Sequence, residues 1–143
     1  MNEIPYAEDV GHYWKTGTSS PDAITEKTKK LIRGIGGTIT SEMAGMINGK
    51  SGIMIEFHVA SEKYRLLWPI LESKAGNELA AKRQAATFLY HDVKNAVVNA
   101  KVRGVRAAFH GYLLLPSGQI ASQLSAPESV EQIPSAFLLE SGA

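Results

Sequence analysis

Hydrophobic positions along the chain fall into two periods, one helical and one alternating. Ile24, Thr28, Leu31, Ile32 and Ile35 recur at three- and four-residue spacing and place one apolar stripe on a helix. Ser20 is set to cap that helix and Pro21 suits its first position. Asp22 and Glu26 lie early, while Lys29, Lys30 and Arg33 lie late, which complements the helix dipole. Gly34, Gly36 and Gly37 stop it. The period then drops to two. Thr38–Ile47 reads as a strand with Ile39, Met43 and Ile47 on one face, and Asn48-Gly49 signals a hairpin turn. In Gly52–Ala60, Ile53, Ile55, Phe57 and Val59 alternate against Met54, Glu56 and His58. Ser61-Glu62-Lys63 makes a second tight turn into Tyr64–Ile70, where Tyr64, Leu66, Trp68 and Ile70 share a face and Pro69 ends central pairing.

The helical period returns from about Asn77 to Val102, a stretch without Pro or Gly. Leu79, Ala86, Leu89, Val93, Ala96, Val97 and Ala100 trace its stripe. Gly104 closes it, and a last hairpin is expected from Val105–Leu115, a turn at Pro116–Gln119, and Ile120–Leu124. The order α-β-β-β-α-β-β predicts an α+β fold, with an antiparallel sheet of about five strands and a short and a long helix on one face. Residues 20–125 form the domain. Residues 1–19 are an irregular arm whose Tyr6, Tyr13 and Trp14 are expected to dock on the domain or on a neighbouring subunit. Residues 126–143 are a docking segment, with a short helical possibility near Glu128–Gln132 and an apolar Phe137-Leu138-Leu139.

Composition adds little to that picture, but charge changes it. The 143 residues carry a formal net charge of +1. Residues 1–21 carry a net −2, residues 22–106 a net +6, and residues 107–143 a net −3. A basic body thus lies between two acidic ends, which suits a polyanion-facing surface; the ordinary alternative is a plain solvated face. There is no Cys, so disulfides, thiolate metal sites and Cys nucleophiles are excluded. Glu3, Glu8 and Asp9 argue against a signal peptide at the N-terminus, and no apolar run reaches membrane-span length. A cytoplasmic, non-membrane protein is expected.

Candidate chemistry is sparse. His12, His58, His91 and His110 fall on different elements without metal-ligand spacing, so no metal or other cofactor is expected. His91-Asp92 are neighbours on a helix and do not face each other, and Glu56 with His58 reads as a solvated strand face. No nucleophile elbow is present. The glycines at 34–37 follow a helix and precede a strand, the reverse of a phosphate-binding loop. An enzyme is therefore not expected.

The basic residues point elsewhere. Lys27, Lys30 and Arg33 recur on the first helix, and Lys82 and Arg83 open the long one. Lys101, Arg103 and Arg106 cluster near its end, with Lys94 before them. Flexible cations of this kind meet phosphates. Trp68 and Tyr112, and Tyr64 with them, are candidate base stackers if exposed; for Trp68 the ordinary alternative is core packing beside Leu66 and Ile70.

The segment Asn77–Gly118 resembles a group of small proteins encoded by tailed phages and prophages. The resemblance is carried by Glu78, Arg83 and Gln84 opening the long helix, Lys94 and Ala100 later in it, and the run Leu114-Leu115-Pro116-Ser117-Gly118. It spans roughly residues 20–125 and implies a phage or mobile-element setting. The group has no established activity, so no functional residue transfers. The resulting expectation is a non-enzymatic nucleic-acid-binding accessory protein, taking single-stranded or duplex nucleic acid and assembling as a homo-oligomer. The alternative is a protein-interaction or assembly module that uses the long helix and the aromatic arm.

Overall fold

A computed structural model describes residues 4–14, 19–47 and 49–121. A four-residue turn of helix, α1 (Ala7–Val10), precedes α2 (Pro21–Gly34). Three strands follow, β1 (Thr38–Ile47), β2 (Lys50–Val59) and β3 (Glu62–Pro69). The long helix α3 (Glu78–Arg103) comes next, then α4 (Val105–Ala108) and a 3-10 turn at His110–Tyr112. The strands form one antiparallel sheet in the order β1-β2-β3. The class is α+β, as the periods predict.

Helix α2 forms where its signals placed it. The Ser20 hydroxyl accepts a hydrogen bond from the Ala23 amide at 3.1 Å, and the glycines end the helix. The Gly37 amide returns to the Ile32 carbonyl at 3.0 Å, and Gly36 holds a φ of 89° that L-residues rarely adopt. Thr25, Thr28 and Ile32 are buried. In α3 the Asn77 side chain accepts from the Ala80 amide and Gly104 closes the helix at a φ of 92°. Ala86, Leu89, Val93, Val97 and Ala100 are buried. Leu79, expected on that stripe, is 58% exposed, and the first turn of α3 is buried through Ala80 and Ala81 instead.

Both helices cover one sheet face. On it Ile53, Ile55, Phe57, Tyr64 and Leu66 are buried against Ile32, Leu89 and Val93. The register of β1 departs from simple alternation. Ile39 pairs with Phe57 and Ser41 with Glu56, so a bulge at Thr40 shifts the parity of the strand. Ile39 therefore faces the core, whereas Met43 lies opposite Met54, itself opposite Leu67, on the other face. The expected single face for Ile39, Met43 and Ile47 is thus split. The second turn is also tighter than expected: Val59 pairs with Glu62, leaving Ala60 and Ser61 as the turn, with Ala60 at a φ of 54°.

The five-strand expectation needs correction. Val105–Leu115 is not a strand but α4 and the 3-10 turn, which drive Phe109 into the core against the Phe57 and Tyr64 rings, at 5.6 and 6.2 Å between centroids. Among the described residues the last hairpin is reduced to one isolated pair, Leu114 with Ile120, while Leu113 pairs singly with Tyr64 of β3. Its turn at Pro116–Gln119 is present, closed by the Leu115 amide on the Gln119 carbonyl. Residues 122–124 of the expected last strand, the helical possibility at Glu128–Gln132 and Phe137–Leu139 lie outside the described residues, as does Asn48. Among the described residues no helix is long and apolar enough to cross a membrane.

Candidate functional site

The N-terminal arm docks on its own domain, one of the two outcomes expected for it. Ala7 is fully buried and its amide donates to the Glu72 carbonyl at 2.8 Å. Gln84, buried on α3, donates through Nε2 to the carbonyls of Ala7 and His12 at 3.0 and 2.9 Å. A buried carboxamide without partners would be costly, so this pair of bonds pins the first residue of α1 and the chain just beyond its end to α3. The Glu8 carboxylate accepts from the Ser73 hydroxyl at 2.7 Å, the Lys74 amide at 2.9 Å and the Ala75 amide at 3.1 Å.

Those bonds set the acid behaviour of the arm. Loss of water around Glu8 works to raise its pKa, but the donors from Ser73, Lys74 and Ala75 outweigh it and hold the carboxyl at about 2, against an ordinary 4.5. A depressed carboxyl stabilises the docked form fully above the ordinary value and loses that contribution as pH falls through the depressed one. The expected result is that the Lys74 and Ala75 amide resonances shift with a midpoint near 2. A midpoint at the ordinary carboxyl value would show that the arm does not hold Glu8.

Beyond His12 the arm supplies an aromatic ring to a cleft. Tyr13 sits at a φ of 61°, a left-handed conformation that costs a non-glycine residue about 1–2 kcal/mol. Its ring packs edge-on to Phe88 at 4.9 Å and parallel to His91 at 5.1 Å and 16°. Such contacts offset the backbone cost. Phe88 in turn stacks on Trp68 at 5.9 Å and 18°, and His91 lies edge-on to Tyr90 at 5.3 Å. An aromatic seam therefore runs from the sheet to the surface between α2 and α3.

That surface is a cleft of about 320 Å³ lined by Tyr13, Ser19, Ile24, Lys27, Arg83, Thr87, Tyr90 and His91. Lys27 stands on the α2 wall and Arg83 on the α3 wall. Arg83 is anchored through Nε, which donates to the Ser19 carbonyl at 2.9 Å, one of five N–H groups on the guanidinium. Among the described residues no carboxylate lines the cleft. Thr87 leads at seven-residue steps to Lys94 and Lys101 on the same line of α3, both exposed. The chemistry of this place is therefore cationic and aromatic.

The remaining candidates divide. Lys30 is exposed on α2 beyond Lys27. Arg33 is tied to Glu26 at 3.2 Å, and Glu26 also pairs with Lys29, which bridges to Glu42 on β1. These two hydrogen-bonded cations hold the Glu26 carboxyl below its ordinary range. Lys82 points away from the cleft, into a larger depression lined by Met46, Ile70, Leu71, Glu72 and Glu78. Lys101 and Arg103 are exposed at the far end of α3. Arg106 pairs with Glu62.

Trp68 is half-buried and spends its face on Phe88, which matches core packing rather than an open stacker. Tyr64 is buried. The Tyr112 hydroxyl donates to Asp92 at 2.5 Å, and burial together with that carboxylate raises the phenol above its ordinary range. His58, His91 and Asp92 lie in three separate places. His58 is on the outer sheet face beside Lys63, His91 is in the α2/α3 cleft, and Asp92 lies in a groove with Asn95, Asn99 and Tyr112.

Of the candidates read from the sequence, the cleft thus brings together Lys27 and Arg83. Tyr13, Tyr90 and His91 are not read from the sequence as neighbours of the basic residues: Tyr13 is read only as a docking aromatic and His91 only for metal binding or beside Asp92. For Tyr90 and His91 a signal existed: they lie seven and eight residues after Arg83, on the same side of α3. Comparison with known proteins adds nothing here: no family model, no curated protein and no solved structure matches the chain.

Proposed function

We propose that the protein is a non-enzymatic nucleic-acid-binding protein and that the α2/α3 cleft is its phosphate-contacting site. The observation that carries this reading is the pairing of Lys27 and Arg83 on opposite walls of a cleft that, among the described residues, no carboxylate lines. Cations that already hold a carboxylate partner, such as Arg33 and Arg106, have that charge offset. Lys27, Lys30, Arg83, Lys94 and Lys101 form no ion pair among the described residues. They lie on the two helices that frame the cleft or on its continuation along α3. Counterion release by such a group gives binding that is steeply salt-dependent.

The test is fluorescence anisotropy of a labelled oligonucleotide at low and moderate salt. Each phosphate neutralised should add about 0.7 to the log–log slope for a single strand and about 0.9 for a duplex. Four or five contacts give a slope of about −3 to −4. Absence of binding at low salt would leave the net charge of residues 22–106 as surface solvation and refute the reading.

A further inference from the structure

We infer that the α2/α3 cleft takes the unpaired bases of a single strand rather than the outside of a duplex, an inference that rests on the nucleic-acid reading of the same cleft. A site that met only phosphates would need cations alone. Here the cations flank rings: Tyr13, Tyr90 and His91 line the same cleft as Lys27 and Arg83. In a duplex the bases stack on one another and show a protein only their edges, whereas an unpaired base exposes its face.

The rings are also held in place rather than loosely presented. Tyr13 lies parallel to His91 and edge-on to Phe88, and Phe88 rests on Trp68. The Gln84 bonds to the Ala7 and His12 carbonyls hold the chain immediately before Tyr13. A preformed aromatic wall loses little side-chain freedom when a base joins it. The cleft volume, about 320 Å³, lies at the lower end of small-ligand sites, which suits one or two bases and not a grooved helix. With Lys27 on one wall and Arg83 on the other, the phosphates to either side of a stacked base each have a cation to meet.

The experiment uses the whole chain at low salt with a labelled deoxythymidine oligomer. The competitors are the unlabelled oligomer, an abasic deoxyribose-phosphate chain of the same length, and a duplex of the same length. The abasic chain and the duplex should compete at least about 5-fold less well than the oligomer, since each stacked base is worth that much or more. Tyr90→Ala and His91→Ala should each weaken the oligomer by about 5- to 100-fold and leave the abasic chain unchanged. Tyr90→Phe and His91→Phe keep a ring and should restore binding. Ala is well tolerated in a helix, so the variants are expected to fold. Equal competition by all three chains, with both Ala variants unaltered, would overturn this inference while leaving the phosphate site standing. Failure of every probe to bind would remove the nucleic-acid reading, and this inference with it.

Discussion

On the proposed phosphate-binding role of the cleft, replacing Lys27 and Arg83 together by glutamine should lower affinity for a single-stranded oligonucleotide by roughly 70-fold at about 50 mM salt. The figure follows from two lost phosphate contacts, each worth about 0.7 in the log–log salt slope, so the slope flattens by about 1.4. The salt slope separates lost charge from lost shape: a variant that merely distorted the cleft would weaken binding without changing the slope by that amount. Folding stability should change little. Lys27 is exposed and unpaired among the described residues. The one bond that Arg83 gives up, to the Ser19 carbonyl, is exposed and worth about 1 kcal/mol. Arg33→Gln with Arg106→Gln is the matched control. It removes the same charge from residues held by Glu26 and Glu62, and binding should fall by much less.

The second large effect is on the fold. Gly37→Ala should destabilise the protein by about 2–3 kcal/mol. A Cβ at that position would stand 2.5 Å from Ile32 Cγ2 and 2.8 Å from the Ile32 carbonyl oxygen. Neither neighbour can give way cheaply. Ile32 is fully buried in the core, and its carbonyl accepts the Gly37 amide that closes α2. The change therefore opposes both the stop of α2 and its seat on the sheet. Thermal unfolding should show a fall in Tm of roughly 6–12 °C. Gly34→Ala, with nothing within 4 Å of the added carbon, should be close to neutral or slightly stabilising. An unchanged Tm for Gly37→Ala would mean that the turn from α2 to β1 is looser than its hydrogen bonds indicate.

Much of the fold was legible because single residues carried unambiguous signals. Ser20-Pro21 marked the start of α2, the glycines at 34–37 its end, and Asn77 and Gly104 the two ends of α3. Alternation in Ile53–Val59 placed β2 correctly. Two features were hidden. The bulge at Thr40 reverses which side chains of β1 face the core, and an alternating pattern does not announce where an extra residue is absorbed. In the last segment, Val105, Ala108, Phe109, Tyr112 and Leu113 repeat at helical spacing inside a run rich in strand-forming residues. Tertiary packing of Phe109 between Phe57 and Tyr64 decides for the helical turns over local propensity.

The site was less legible than the fold. Periodicity places Lys27 on one face of α2 and Arg83 on one face of α3, but not the two helices side by side. That placement comes from Ile32, Leu89 and Val93 sharing one core, a relation between segments distant in sequence. Charge counting alone could not separate Lys27 from Arg33, since only the fold shows that Glu26 holds Arg33. Tyr13 was out of reach for the same reason. An aromatic in an irregular arm predicts docking, and the ring it docks against, His91, depends on how Gln84 captures the arm.

The most direct measurement is a two-dimensional amide NMR titration of the full chain with a short single-stranded oligonucleotide at low salt. Binding in the α2/α3 cleft predicts shifts concentrated at Tyr13, Ile24, Lys27, Arg83, Thr87, Tyr90 and His91. Amides of Met43, Met54 and Leu67 on the opposite sheet face should stay in place. Shifts gathered on that opposite face, or none at saturating oligonucleotide, would contradict the assignment of the cleft as the binding site.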